Sequence, residues 1–275
     1  MEAPALARPA ASETPGTTEA EPVKVGYFND SAFTFYYPEN LEALERAGAK
    51  LEPISALAAE HLPDIDLLYI GGGFPETHAS RLSQNRALCG SVRAAACEQG
   101  LPIYAECGGL IYLARTLRAH GADYPMSAVL PVCVELTGRP QGHGYCAATV
   151  DRANPFFPVG TVLRGHEFHY SRVTDGVDRI TTAYAMNRGT GCGQGRDALL
   201  VGNVLASYTH LHARGVPEWA RYLCRCALGH RRTRRESHAG PEEGSQEGCQ
   251  EDERRRRGSA CGGSRDFSAP PEVST

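Results

Sequence analysis

The 275-residue sequence holds no apolar stretch approaching the roughly 18 residues of a membrane span, which argues against a transmembrane protein. Its first residues lack the basic-then-apolar order of a secretory signal. No G-x-x-x-x-G-K-[ST] motif occurs, so the chain has no phosphate loop with which to hold ATP. No C-x-x-C or E-x-x-H set occurs either. A zinc site needs three or four converging ligands, so no metal is expected. A strong charge is also missing: the formal value of -4 argues against a general nucleic-acid binder. Ten cysteines are present, scattered through a long chain and several of them in apolar segments. That pattern predicts reduced thiols in a cytoplasmic protein.

Both ends are poor in core-forming side chains. Residues 1–21, rich in Ala, Pro, Glu and Thr, predict a disordered leader or linker remnant. Residues 229–275 offer Phe267 as their one large apolar side chain of note, and their acidic block offsets arginine clusters. They predict a solvated, disordered tail. Residues 22–228 remain as one domain, long enough to bury a core.

Within it, apolar runs at 23–28 (VKVGYF), 50–54, 66–70 (DLLYI) and 101–105 (LPIYA) read as strands. Helices are expected from Pro38 to Gly48, over 76–82, 85–98 and 109–118, with a last one over 218–228. This alternation predicts an α/β fold, a mainly parallel central sheet with helices on both faces. After Gly121 short strands at 132–135, 144–150, 161–163, 167–172 and 183–186 suggest an antiparallel extension, and 204–208 returns to the sheet.

Ligands of parallel sheets gather beyond the carboxyl ends of the strands. Cys107 lies there, in Ala105-Glu106-Cys107-Gly108-Gly109. Small residues around a central nucleophile fit a sharp strand-to-helix turn that lifts the sulfur clear. The turn aims the Gly108 amide at a developing oxyanion, and the helix end favours the thiolate. A lone cysteine before two glycines reads equally as a buried small hydrophobe; the strand order favours the nucleophile. For a base, His210 ends the run 205–209 and should emerge at the same edge, with His212 on its face by alternation. His166 and His169 lie in GHEFHYS. Gly71-Gly72-Gly73, after DLLYI, offers open amides, so Gly72 and Gly73 join Gly108 as oxyanion-hole candidates.

DLLYIGGGFPE, LPIYAECGGLIYL, LRGHEFHYSR and LASYTHLHA, in that order, together with FTFYYPENLEAL at 33–44, resemble the glutamine amidotransferase domain of the cobyrinate-type a,c-diamide synthases. LASYTHLHARGVPEWA looks most like the sirohaem-type branch of that family. The resemblance implies a flavodoxin-like class I amidotransferase fold and a Cys-His glutaminase. Cys107 would be the nucleophile, His210 its partner, and His166, Glu167, His169 and His212 wall or substrate-contact residues. Glutamine would be the substrate, with no cofactor in this chain. Where related triads place a Glu two residues after the histidine, this sequence has His212, so what orients His210 stays open. The family's ATP-dependent amidoligase domain is not found here. The chain would therefore work with a separate synthetase carrying ATP, Mg2+ and the tetrapyrrole, or begin at the former interdomain linker. Two rival readings are an idle amidotransferase-like binding partner and an α/β hydrolase, whose acid would be Asp175 or Asp197.

Overall fold

The computed structural model describes residues 21–239. The expected leader, apart from residue 21, and the tail from 240 onward lie outside them. The first half runs β1 (Val23–Phe28), α1 (Pro38–Arg46), β2 (Ala49–Ile54), β3 (Leu67–Ile70), α2 (Ala79–Gln84), α3 (Arg86–Cys97), β4 (Ile103–Glu106) and α4 (Gly108–Leu113). Then come β5 (Thr116–Ala119), β6 (Ala122–Pro125), β7 (Cys133–Leu136), β8 (Gly142–Val150), β9 (Val162–His169), β10 (Ser171–Val173) and β11 (Thr181–Arg188). The chain ends in β12 (Arg196–Val201), β13 (Val204–Ser207), β14 (His210–Leu211) and α5 (Trp219–Ala239).

A ten-stranded sheet has the order β14-β9-β8-β11-β12-β13-β4-β3-β1-β2. The strands from β13 to β2 pair in parallel; those from β13 to β14 pair antiparallel. The predicted antiparallel extension is thus as wide as the parallel core. Strands β3, β4 and β13 are buried along their whole length, as strands covered on both faces must be. Alternation divides their side chains: Leu68 and Ile70 pack with Leu82, Val92 and Leu110 of α2, α3 and α4. On the other face Leu67 and Tyr69 meet Leu44 of α1 and Trp219 of α5.

The antiparallel half cannot be flat. Five inter-strand spacings separate β13 from β14, about 24 Å in an open sheet. Ser207 and His210 are three residues apart in sequence, a reach of at most about 11 Å. The sheet therefore rolls back on itself and brings β14 and β9 over the carboxyl end of β4.

Several local expectations shift. The helix expected over 109–118 stops at Leu113, because Ala114 turns to extended backbone with φ −61° and ψ 162°. Thr116–Ala119 instead alternates buried and open positions and joins a second sheet, β10-β7-β5-β6. Strand β12 was not expected, because Asp197 reads as a turn residue. Its buried carboxylate accepts from the Tyr208 and Thr209 amides at 3.0 Å and from the Thr209 hydroxyl at 2.8 Å. The last helix also runs past the boundary drawn at 228. Arg231 explains this: it reaches the buried carboxylate of Asp66 and the carbonyls of Glu21 and Pro22, at 2.7 and 2.6 Å.

Candidate active site

Cys107 is the hinge between β4 and α4. Its φ of 48° and ψ of −94° put an L residue in strained backbone space, which persists only where neighbours over-determine it. They do so here. The Cys107 amide donates to Ser207 O at 2.7 Å, and the Gly109 amide to Gly71 O at 3.1 Å. The ends of β13 and β3 thus hold the turn from both sides. The sulfur, in a residue 6% exposed, lies 3.8 Å from the Phe168 carbonyl.

His210 is 3% exposed, with Glu106, the residue before the cysteine, beside it. Its Nδ1 lies 3.6 Å from Glu106 Oε2, an ion-pair separation, and makes no hydrogen bond. Glu106 is itself pinned: Oε1 accepts from the Tyr104 hydroxyl at 3.0 Å and the Leu211 amide at 3.1 Å, Oε2 from the Tyr69 hydroxyl at 3.3 Å. Burial works against charge on His210. The Cys107 sulfur and the Glu106 carboxylate outweigh it, and together they push the imidazole up to about 10. The ring therefore holds its proton more firmly than an ordinary histidine, between the Cys107 sulfur and the Glu106 carboxyl group. Phe35 meets the His210 ring edge-on at 5.0 Å, and His166 stacks on it at 4.8 Å and 16°. Gly72 must lack a side chain, since a Cβ there would sit 2.6 Å from His210 Cε1.

A pocket of about 70 Å³ opens on the pair, walled by Phe35, Phe74, His166 and Phe168 and floored by Gly73. Among the described residues, neither the Gly73 nor the Gly108 amide has a hydrogen-bond partner. A Cβ on Gly108 would come within 3.0 Å of Gly73 N, so the Gly73 amide nitrogen packs against the start of α4. Gly72 is a correction to the expected oxyanion set. Its amide donates to Phe35 O at 3.2 Å in an isolated bridge and is not available.

The four expected wall residues separate. His166 lines the pocket and bonds Tyr37 through Nδ1 at 3.0 Å. Glu167 and His169 do not, because strand alternation turns them to the opposite face of β9. Glu167 accepts from the amides of Thr190 at 2.5 Å and Gly191 at 2.8 Å, fixing the glycine-rich loop. The His169 ring stacks on Tyr208 at 3.7 Å. His212 also lies outside: its ring leans on Tyr37 at 4.4 Å and Nε2 is 3.7 Å from Glu39. Neither candidate acid for a hydrolase triad meets His210. Asp197 is saturated by the contacts described above, and exposed Asp175 pairs with Arg118 at 3.2 Å. Glu106, Phe35, Phe74 and Phe168 were not singled out from the sequence. For Phe168 a signal existed, since period-two alternation in HEFH puts it on the face of His166.

Residues 24–217 match the profile of the CobB/CobQ-like glutamine amidotransferase domain. A cobyrinate a,c-diamide synthase of Magnetococcus marinus is 45% identical over 204 residues, covering 74% of this chain and 44% of the relative. One from Methanosphaera stadtmanae is 45% identical over 191 residues, 69% of this chain and 41% of the relative. The chain thus spans less than half the length of these curated relatives. In fold it is similar to a chain in the structure of PurLQS from Thermotoga maritima, with a TM-score of 0.55, 16% identity, and coverage of 76% of this chain and 98% of that one.

Proposed function

The chain belongs to the CobB/CobQ-like glutamine amidotransferase domain family, and from that premise we propose that Cys107 and His210 form a glutaminase centre. In this reading the Cys107 thiolate attacks the side-chain amide carbon of glutamine, and the carbonyl electron pair moves onto oxygen. The Gly73 and Gly108 amides receive that oxyanion. His210 gives its proton to the nitrogen, the C–N bond breaks, and ammonia leaves a γ-glutamyl thioester on the sulfur. Water then attacks the thioester, His210 takes its proton back, and cleavage of the C–S bond frees glutamate. Glu106 stands where it can orient the imidazole and balance its charge, the part left open by the histidine at 212.

Ammonia is useful only to a second reaction. The names of the curated relatives support a cobyrinate-type acceptor amidated at its a and c carboxylates; a sirohaem-type ring rests on the LASYTHLHARGVPEWA stretch alone. Carboxylate activation by ATP and Mg2+ falls to an amidoligase domain or chain beyond the described residues. No described helix is long and apolar enough to cross a membrane. The described cysteines are free thiols, which supports a reducing, cytoplasmic setting.

The observation that carries the reading is the strained Cys107 turn facing a buried imidazole that Glu106 backs at 3.6 Å. Glutamate release from glutamine is the test, with the purified chain alone and with a phosphate-loop amidoligase added. Cys107→Ser and His210→Ala should each abolish it. Release that survives both substitutions sinks the assignment. Tight partner binding without release under any condition would favour the idle-partner reading.

A further inference from the structure

The Cys-His pair needs its imidazole held against rotation as well as charged. Glu106 faces Nδ1 and Phe35 closes one edge of the ring. The flat face is covered by His166. The overlap is built by the backbone, because His210 and His166 are directly paired in the β14–β9 ladder. Tyr37, in the segment entering α1, holds the second ring by its hydroxyl at Nδ1, and leans on His212.

We propose that His166 is a positioning residue: a ring, clamped by Tyr37, that stacks on the His210 imidazole and keeps its working edge toward Cys107. The proposal rests on the glutaminase reading. A neutral aromatic face stabilises an adjacent cation, whereas a second cation there repels it. The groups facing His166 are His210, Glu106, Tyr37 and, across the β8–β9 ladder, Tyr145. Burial, and then the charge of His210, hold His166 below the usual histidine range, so it stays neutral beside its partner.

The test compares His166→Ala, His166→Phe and Tyr37→Phe in the full chain, by glutamate release against pH and by NMR titration of the His210 ring. Removing the stacked face should lower kcat by about ten- to a hundredfold, as loss of positioning does, with KM nearly unchanged. The NMR midpoint of His210 and the alkaline limb should shift together in His166→Ala, because the ring loses its stacked neighbour and part of the burial that opposes its charge. His166→Phe keeps a flat neutral face but loses the Tyr37 clamp, so it should lose kcat several-fold, like Tyr37→Phe and less than His166→Ala. Tyr37→Phe frees the clamp and should reduce kcat several-fold. A KM rise shared by His166→Ala and His166→Phe would mean a substrate contact and overturn the proposal. So would wild-type kcat and an unmoved His210 midpoint in His166→Ala, or, if that variant does not fold, wild-type kcat in Tyr37→Phe. The NMR arm needs no turnover, so it tests the stack even if glutamine is not consumed by the wild-type chain, the result that would instead overturn the glutaminase reading.

Discussion

Replacing Gly109 by alanine tests whether the Cys107 turn is as tightly seated as its surroundings require. A Cβ at 109 would meet Ile70 O at 2.4 Å, Ile70 Cβ at 2.9 Å and Ile70 Cγ2 at 3.0 Å. The first contact is strand backbone inside the sheet and cannot swing away. Relief to ordinary contact near 3.4 Å demands about 1 Å of separation between α4 and β3. The hydrogen bond from Gly109 N to Gly71 O shares the strain, and Cys107 is two residues away. Overpacking of this kind costs about 1–3 kcal/mol, and displacement of a reacting group by 1 Å lowers rate by about a hundredfold. Gly90, in α3 with nothing within 4 Å, is the control: alanine there should stabilise by about 0.5–1 kcal/mol with no effect on rate. Chemical denaturation and glutamate release measured on both variants decide the matter. A Gly109→Ala chain with wild-type kcat would refute the seating argument, and so would equal stability changes in the two variants.

The alkaline limb of glutamate release should lie near pH 10, because His210 needs its proton to expel ammonia and is pushed up to about 10; a limb near 7 would contradict the charged pair. Glu106→Gln should move that limb downward and lower kcat by at least about tenfold, read from the pH–rate profile. Arg231→Met should destabilise the fold by about 1–3 kcal/mol in urea denaturation at pH 7, less than for a wholly unpaired buried charge, since it leaves the carboxylate of Asp66 with Arg234 at 3.5 Å and the Lys24 amide. Burial opposes ionisation of Asp66, but Arg231 and the Lys24 amide hold it below the usual carboxylate range. Its contribution is therefore present above the unfolded pKa of about 3.9 and is lost as pH falls through the native value, so the gap between variant and wild type should narrow toward acid.

The two reacting side chains were legible because their signals are local. A cysteine between small residues after an apolar strand announces a turn, and a histidine at the end of a buried run announces a sheet edge. Glu106 was not legible as a participant. It occupies the spacer position of the turn motif, and its role depends on β14 crossing back over β4, which periodicity does not encode. The Gly72 amide was misjudged for the same reason: its acceptor, Phe35 O, is distant in sequence and meets it only in the folded chain. Glu167 and His169 erred differently. Alternation along the strand already placed them opposite His166, and grouping all four residues by proximity in sequence obscured it. The end of the domain moved because a single arginine in a polar stretch finds a buried acid 165 residues earlier.

Because the rolled sheet joins its last strand to β9 rather than to the strand that precedes it in the chain, thiol and imidazole are carried by opposite halves of the sheet. The sulfur stands on the parallel layer and the ring on the antiparallel one, so their alignment depends on the β14–β9 ladder as much as on the turn that holds Cys107.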